Sequence, residues 1–520
     1  MATLTDLTPS AASADTTEHS NPLTGWAPPM LGVCSLLASC ILWSLRKPMW
    51  GDEVFTWTEL QDPSFQHLFG SLPRLGGGGM PLFYLTARPW AQVFGFSDLS
   101  LRLYSSLGVC GAFVVLFAAL RRRLGASAAF LGTAFGFFAS LIVLDQNSEA
   151  RGYGLYLLLA ALATAQMLKV VRTDRCRAWD FVLIAATQAG LVLGHPLGLV
   201  YGGLLFAGLV VADLCAQQVR GRVYLACAAG WMALIPWIPA IRASAAVGRP
   251  HGWIGVPAVG DLASSLSFWL FTGLYWQIPH LPSTAPVAGW LAGVLCVIGI
   301  VFASFPGLED GSGTRRAIFF AGCALLPGPV VFFILSRLTT PVFLPRYLLP
   351  SSIGVCLLAA AAADRVRFGK RGTAVLGAIL LSLPVATALA AHPADLRVAQ
   401  VDRLAAGRIV VCGSLKDFLV MTRYTARPDT PRFALDGEVA DTVPGADADF
   451  RLMANYRREG YFAGHLPDTQ TLLGEPSFVF LGDPGAPWFR TRIVGNPQFR
   501  WKALSRIDDS RTLIEVERIP

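Results

Sequence analysis

The chain has 520 residues, 53% of them hydrophobic and 15% charged, with a formal net charge of +8 and a mean hydropathy of +0.51. Soluble domains carry about 25% charged residues, so a water-soluble core cannot hide this much apolar surface, and the bilayer must act as solvent for much of the chain. The positive charge lies in short loops between apolar runs, which argues against a nucleic-acid partner, and the ten cysteines include no Cys-x-x-Cys pair or Cys/His cluster that would indicate a disulfide framework or structural zinc.

In chain order, the first 25 residues hold no Lys or Arg and so lack the basic start of a signal peptide; residues 1–28 read as a disordered tail. Apolar runs follow, each near the ~20 residues that span a bilayer as a helix. They lie near 29–45, 101–120, 126–144, 153–171, 179–194, 196–214, 223–241, 286–305, 317–336, 347–363 and 373–391, which predicts a mainly α, polytopic bundle of about 11 transmembrane helices. His195-Pro196 breaks the run 179–214 and predicts a tight hairpin.

Basic residues set the expected orientation. Arg121–Arg123, Lys169–Arg177, Arg220 with Arg222, Arg315 with Arg316, and Arg365–Arg371 fall in alternate loops, against only Arg151, Arg337 and Arg346 in the short loops between. The N-terminus is therefore expected in the cytoplasm. One local conflict is Arg46 and Lys47, which follow the first run on the outer side. The expected division is a transmembrane unit at 29–392, with large outer loops at 46–100 and 242–285, and an outer segment at 393–520. That last segment is polar. Strand-like runs at Arg408–Cys412, Ser477–Leu481 and Thr512–Glu517, with a helical pattern at Leu415–Tyr424, predict a small α/β domain. No fixed-period repeat and no inverted-repeat pattern is visible.

Ionisable residues at membrane depth are costly and mark functional sites. Asp52 and Glu53 follow Trp50 and Gly51 at the outer boundary, where a carboxylate can take a proton from a hydroxyl; Asp52 as the N-cap of a helix through Val54–Trp57 is the structural alternative. Asp145–Tyr153 packs Asp, Gln, Asn, Glu and Arg into a short outer loop, with Glu149–Arg151 pairing or capping as its plain explanation. His195 is either a helix-end residue or a ligand. Arg346, in Pro345-Arg346-Tyr347, suits a lipid phosphate, since its fork holds two oxygens, or it snorkels to headgroups. Gly76–Gly79 predicts a mobile loop and lacks the Lys-Ser/Thr of a nucleotide phosphate loop. All these groups fall on the outer face, away from cytoplasmic nucleotides, which favours a membrane-borne activated donor.

With these residues placed, the chain resembles the GT-C glycosyltransferases, in the bacterial branch of protein O-mannosyltransferases and the lipid A aminoarabinose transferase. The resemblance covers roughly 29–365. Its carriers are Asp52-Glu53, Pro81–Tyr84, Ser97–Leu103, Arg121–Arg123, Glu149–Tyr153, His195 and Pro345–Pro350. It implies an inner-membrane enzyme with a periplasmic cavity. That enzyme would move a sugar, with inversion, from a polyprenyl-phosphate donor to a hydroxyl of a cell-envelope acceptor. Carried over, Asp52 is the base, and Glu53 supports it directly or through a divalent metal ion held by Asp52 and Glu53. Glu149, Arg151, Tyr153, His195 and Tyr84 line the donor site, and Arg346 with Tyr347 holds the phosphate. Relatives often carry His-Pro-Pro where this chain has Gly79-Met80-Pro81, so a histidine ligand is missing there. A lipid-linked sugar flippase is the alternative from another class; a lipid-phosphate phosphatase lacks its Arg/His signature here, and a non-catalytic assembly protein would use the outer domain alone.

Overall fold

The computed structural model describes residues 24–75, 80–172, 176–247, 254–269, 285–305, 313–390, 396–442 and 446–519. Gly76–Gly79, the tail up to residue 23 and much of the 242–285 loop lie outside them. The first half runs α1 Ala27–Ser44, α2 Gly51–Leu60, α3 Phe65–Ser71, α4 Pro81–Phe94, α5 Asp98–Leu124, α6 Ala126–Phe138, α7 Leu141–Asn147, α8 Tyr153–Arg172, α9 Ala178–Gly194 and α10 Gly198–Cys215. It continues through α11 Gly221–Trp231, α12 Ile238–Val247, α13 Val259–Trp269, α14 Ala285–Ser304, α15 Gly313–Leu325, α16 Gly328–Leu338, α17 Ser351–Val366 and α18 Lys370–Ala390.

Every expected apolar run falls on a helix. Among the described residues seven spans are long and apolar enough to cross a membrane, or eight if the α6–α7 pair, bent by 76°, is one span. The other expected runs fall on α9, α14 and α17. Leu225, Leu295 and Phe302 are exposed on the bundle's outside, as a lipid-facing surface requires. The chain is thus a helical membrane protein.

Small residues set the close helix crossings, as they do where hydrophobic exclusion gives no drive between helices. A Cβ on Gly154 of α8 would meet the Ser105 carbonyl oxygen of α5 at 2.0 Å, and one on Gly132 of α6 would meet the Ala360 backbone of α17 at 2.3 Å. Asn147 ties the same region together: its Nδ2 donates to the Leu36 carbonyl at 2.9 Å and its Oδ1 accepts from the Ser106 hydroxyl at 2.9 Å. Part of the polar density at 145–153 is therefore structural. Asp145–Asn147 form the last turn of α7 rather than a loop.

The C-terminal part adds α19 Val398–Ala405, α20 Leu415–Tyr424, α21 Gly437–Thr442, α22 Ala446–Arg458, α23 Thr469–Leu473 and α24 Pro487–Arg492 around a sheet. Its strands are β1 Val410–Cys412, β2 Pro431–Arg432, β3 Ser477–Gly482, β4 Phe499–Arg506 and β5 Thr512–Arg518, in the order β2-β1-β3-β5-β4. β1 pairs in parallel with β2 and β3, and β5 pairs antiparallel with β3 and β4. One hydrophobic core joins this unit to the first loop: Met49, Val54, Phe55, Leu68 and Tyr84 pack with Phe418, Leu419, Met453 and Tyr456.

Candidate functional site

Helix α2 starts after Trp50, whose backbone is extended (φ −95°, ψ 172°). The Trp50 amide donates to Glu53 Oε2 at 3.2 Å, the reach-back bond of a capping box. Asp52 is therefore not the cap; it sits in the first turn, where a carboxylate also complements the helix dipole.

Glu53 is fully buried and fully engaged. Arg102, near the start of α5, donates Nε to Oε1 at 2.8 Å and Nη2 to Oε2 at 2.8 Å. The Ala150 amide adds a bond to Oε1 at 2.7 Å. The same guanidinium donates to the carbonyls of Lys47 at 2.6 Å and Pro48 at 3.0 Å. Arg102 thus fixes the turn that presents Asp52.

Asp52 keeps a partly exposed carboxylate, 27% accessible, with Arg346 Nη2 at 3.2 Å from its Oδ2. Arg346 lies on the one-turn 3-10 helix Pro345–Leu348, stacked over Trp50 at 5.3 Å and against Tyr347 at 5.7 Å from the ring centroids. Two aromatic faces and a carboxylate hold the fork at a fixed angle. Arg151 Nη1 donates to the Asp52 carbonyl at 3.2 Å and to the Thr56 hydroxyl at 3.1 Å; it does not pair with Glu149.

Behind the arginines lies an aromatic group. His195, in the predicted hairpin between α9 and α10, stacks on Tyr156 at 4.8 Å and meets Tyr347 at 5.2 Å and Tyr153 at 5.8 Å. Its Nδ1 accepts from the Leu197 amide at 3.2 Å, so a neutral ring carries its proton on Nε2. Burial, then the charges of Arg151 and Arg346, lower its pKa from 6.5 to about 3.

Glu149 is buried, 3.9 Å from Lys47 Nζ, and among the described residues its Oε2 has no hydrogen-bond partner. Burial, then Asp145, raises its pKa well above the carboxylate range, and Lys47 and Arg346 offset this only in part. Tyr84 goes elsewhere. Its hydroxyl donates to Glu59 at the far end of α2, and so does the Tyr456 hydroxyl from α22. Burial raises the Glu59 pKa against those two bonds.

The structure therefore brings Asp52, Arg151, Tyr153, His195, Arg346 and Tyr347 together, keeps Glu149 beside them, and uses Glu53 and Tyr84 behind the surface. Arg102, Trp50 and Tyr156 join the cluster, and Glu59 anchors the far end of α2, without having been singled out as site residues. A charge near the start of an apolar run was the only available signal for Arg102. As for a metal ion, Glu53 spends both oxygens on Arg102, Trp50 and Ala150, and Asp52 faces an arginine. Among the described residues no three His, Cys, Asp or Glu side chains converge to hold a cation. The donor set does not fit a divalent ion.

Fold and site together define a polytopic helical membrane protein with a carboxylate–arginine–aromatic cluster at one end of its bundle. Among solved structures the chain is similar to ArnT from Cupriavidus metallidurans in the apo state. Identity is 14% over 95% of this chain and 98% of that one, with a TM-score of 0.46. The same protein bound to undecaprenyl phosphate gives 13% identity over the same shares and a TM-score of 0.41. The Archaeoglobus fulgidus oligosaccharyltransferase in complex with Zn and sulfate gives 11% identity over 86% and 67%, with a TM-score of 0.48. No family model and no curated protein matches the chain.

Proposed function

We propose that the chain is an inverting glycosyltransferase that moves a sugar from a polyprenyl-phosphate donor to a hydroxyl of a cell-envelope acceptor. The transfer takes place at the periplasmic face of the inner membrane, with the N-terminus in the cytoplasm and the 393–520 domain in the periplasm. The observation that carries this reading is the half-open Asp52 carboxylate 3.2 Å from the Arg346 fork: a base beside a phosphate-binding cation, with aromatic rings around both.

In this mechanism the donor phosphate takes the Arg346 fork and displaces it from Asp52. The acceptor oxygen attacks the anomeric carbon opposite the phosphate, Asp52 accepts the hydroxyl proton, and the carbon–phosphate-oxygen bond breaks with inversion. The leaving polyprenyl phosphate stays on Arg346, which stabilises the charge that develops. Arg151 holds the α2 backbone that carries Asp52. No step runs through a metal ion. The orientation is supported by the alternating basic loops and by the fate of the two discordant cations. Arg46 donates to the Leu389 carbonyl, and Lys47 lies 3.6 Å from Asp145 and 3.9 Å from Glu149, so both cations are bound within the fold.

The test offers radiolabelled undecaprenyl-phosphate pentoses and hexoses to purified protein in detergent with a membrane extract as acceptor. Label should move to the acceptor, and Asp52→Asn should abolish this while donor binding persists. Movement of a labelled lipid across vesicles, with no transfer and with Asp52→Asn unaffected, would replace the enzyme by a flippase.

A further inference from the structure

The C-terminal unit grips helix α2 at successive levels. Before its start, the Tyr424 hydroxyl accepts from the Met49 amide at 2.6 Å and donates to Asp98, the first residue of α5, which Arg423 also binds. Along its length, the Arg423 guanidinium lies 4.6 Å from the Trp57 ring centroid, and Tyr456 stacks on Phe55 at 4.7 Å. At its end, the Tyr456 hydroxyl binds the buried Glu59 carboxyl, and the Tyr461 hydroxyl donates to Asp62 at 2.6 Å. From the bundle side α2 is held by Arg102 through Glu53 and by Arg151.

Packing alone would need only the apolar contacts. Apart from contacts with Ser71 and Arg74 around the end of α3, the polar anchors of the C-terminal unit among the described residues reach α2, its flanks or the first turn of α5. Arg346 comes from a different segment, after α16. The distance between Asp52 and Arg346 therefore depends on how α2 is held against the bundle. We propose that the C-terminal unit is a clamp that positions α2, with Tyr424 and Tyr456 as positioning residues that set the Asp52 carboxylate against Arg346. Its catalytic half rests on the transferase reading above; its structural half does not.

Tyr424→Phe and Tyr456→Phe keep the rings and remove the hydroxyls. Two measurements decide the matter: kcat and KM for radiolabelled undecaprenyl-phosphate sugars, and hydrogen–deuterium exchange over residues 49–60. Both variants should lose kcat by about ten- to a hundred-fold, with KM for the lipid donor within about two-fold. Exchange should quicken at 49–60 and stay unchanged at 153–172. Where either variant does not accumulate, Trp57→Leu tests the same clamp from the helix side. Wild-type kcat in the variants, or unaltered exchange at 49–60, overturns the clamp. If the wild type transfers no sugar, the transferase reading fails and the exchange result alone still decides whether the unit clamps α2.

Discussion

Arg102 holds Glu53 in a two-pronged bond wholly out of solvent, Nε to Oε1 and Nη2 to Oε2, each 2.8 Å. Breaking such a pair from one side costs about 3–5 kcal/mol, because a buried charge is left alone. Arg102→Met would strand Glu53 and take the donor from the Lys47 and Pro48 carbonyls. The variant should melt at a clearly lower temperature in detergent or fail to accumulate. Arg102→Lys should not restore it, since an ammonium lacks the fork. An unchanged melting temperature would show that Glu53 and Arg102 are not the keystone of this turn.

The helices were legible because length and apolarity are strong signals, and Leu415–Tyr424 forms the helix its pattern predicts. The 76° bend between α6 and α7 escaped, since both sides are apolar; the clue was Ser140, whose hydroxyl caps α7 by accepting from the Val143 amide. Strand β4 escaped although Phe499-Arg500-Trp501-Lys502-Ala503 alternates apolar and polar residues; its burial does not follow that alternation, since Arg500 to Ala503 are all exposed. At the site, Asp52, Arg346 and His195 could be singled out one by one, as charges or a lone histidine at helix ends. Which would meet was not readable, because Asp52 and its partner Arg346 come from segments far apart in the chain. The role of Glu53 needed Arg102, which reads in sequence only as a charge near the start of an apolar run.

Arg346 should bind phosphate as a fork, not as a point charge. Arg346→Lys keeps the charge but loses the planar stack on Trp50 and Tyr347 and the bidentate geometry. The expected result is a rise of about ten-fold in KM for the lipid donor, the loss of roughly one charge-assisted bond. Arg346→Met should raise it further and also lower kcat. Donor titration with both variants checks this, and equal donor affinity in all three proteins would remove the phosphate from Arg346.

Glu149 should hold its proton to a higher pH than an ordinary carboxyl group. Its folded pKa is raised, chiefly by burial, so the wild type is favoured below the ordinary carboxyl range and loses stability as pH rises above it. Glu149→Gln mimics the protonated form and removes that loss. The variant should match the wild type near pH 4 and equal or exceed its melting temperature at about pH 7.5. Lys47 would keep Asp145 as a partner at 3.6 Å. A marked fall in melting temperature at the higher pH would mean that Glu149 is charged and held by Lys47.

His195 gives the opposite slope at acid pH. Unfolded, the ring takes a proton near pH 6.5; folded, it stays neutral to about pH 3. Between those values the unfolded state binds more protons, so stability falls as pH drops and is flat above that range. At about pH 4.5 the loss is at most ~2–3 kcal/mol, and less because the ring keeps some solvent contact. His195→Asn removes the titration, and an asparagine oxygen can still accept from the amide two residues on, here Leu197. Melting temperatures taken between pH 7 and pH 4.5 should fall less steeply in the variant. Parallel slopes would place the acid sensitivity on other groups and leave the histidine outside the field of Arg151 and Arg346.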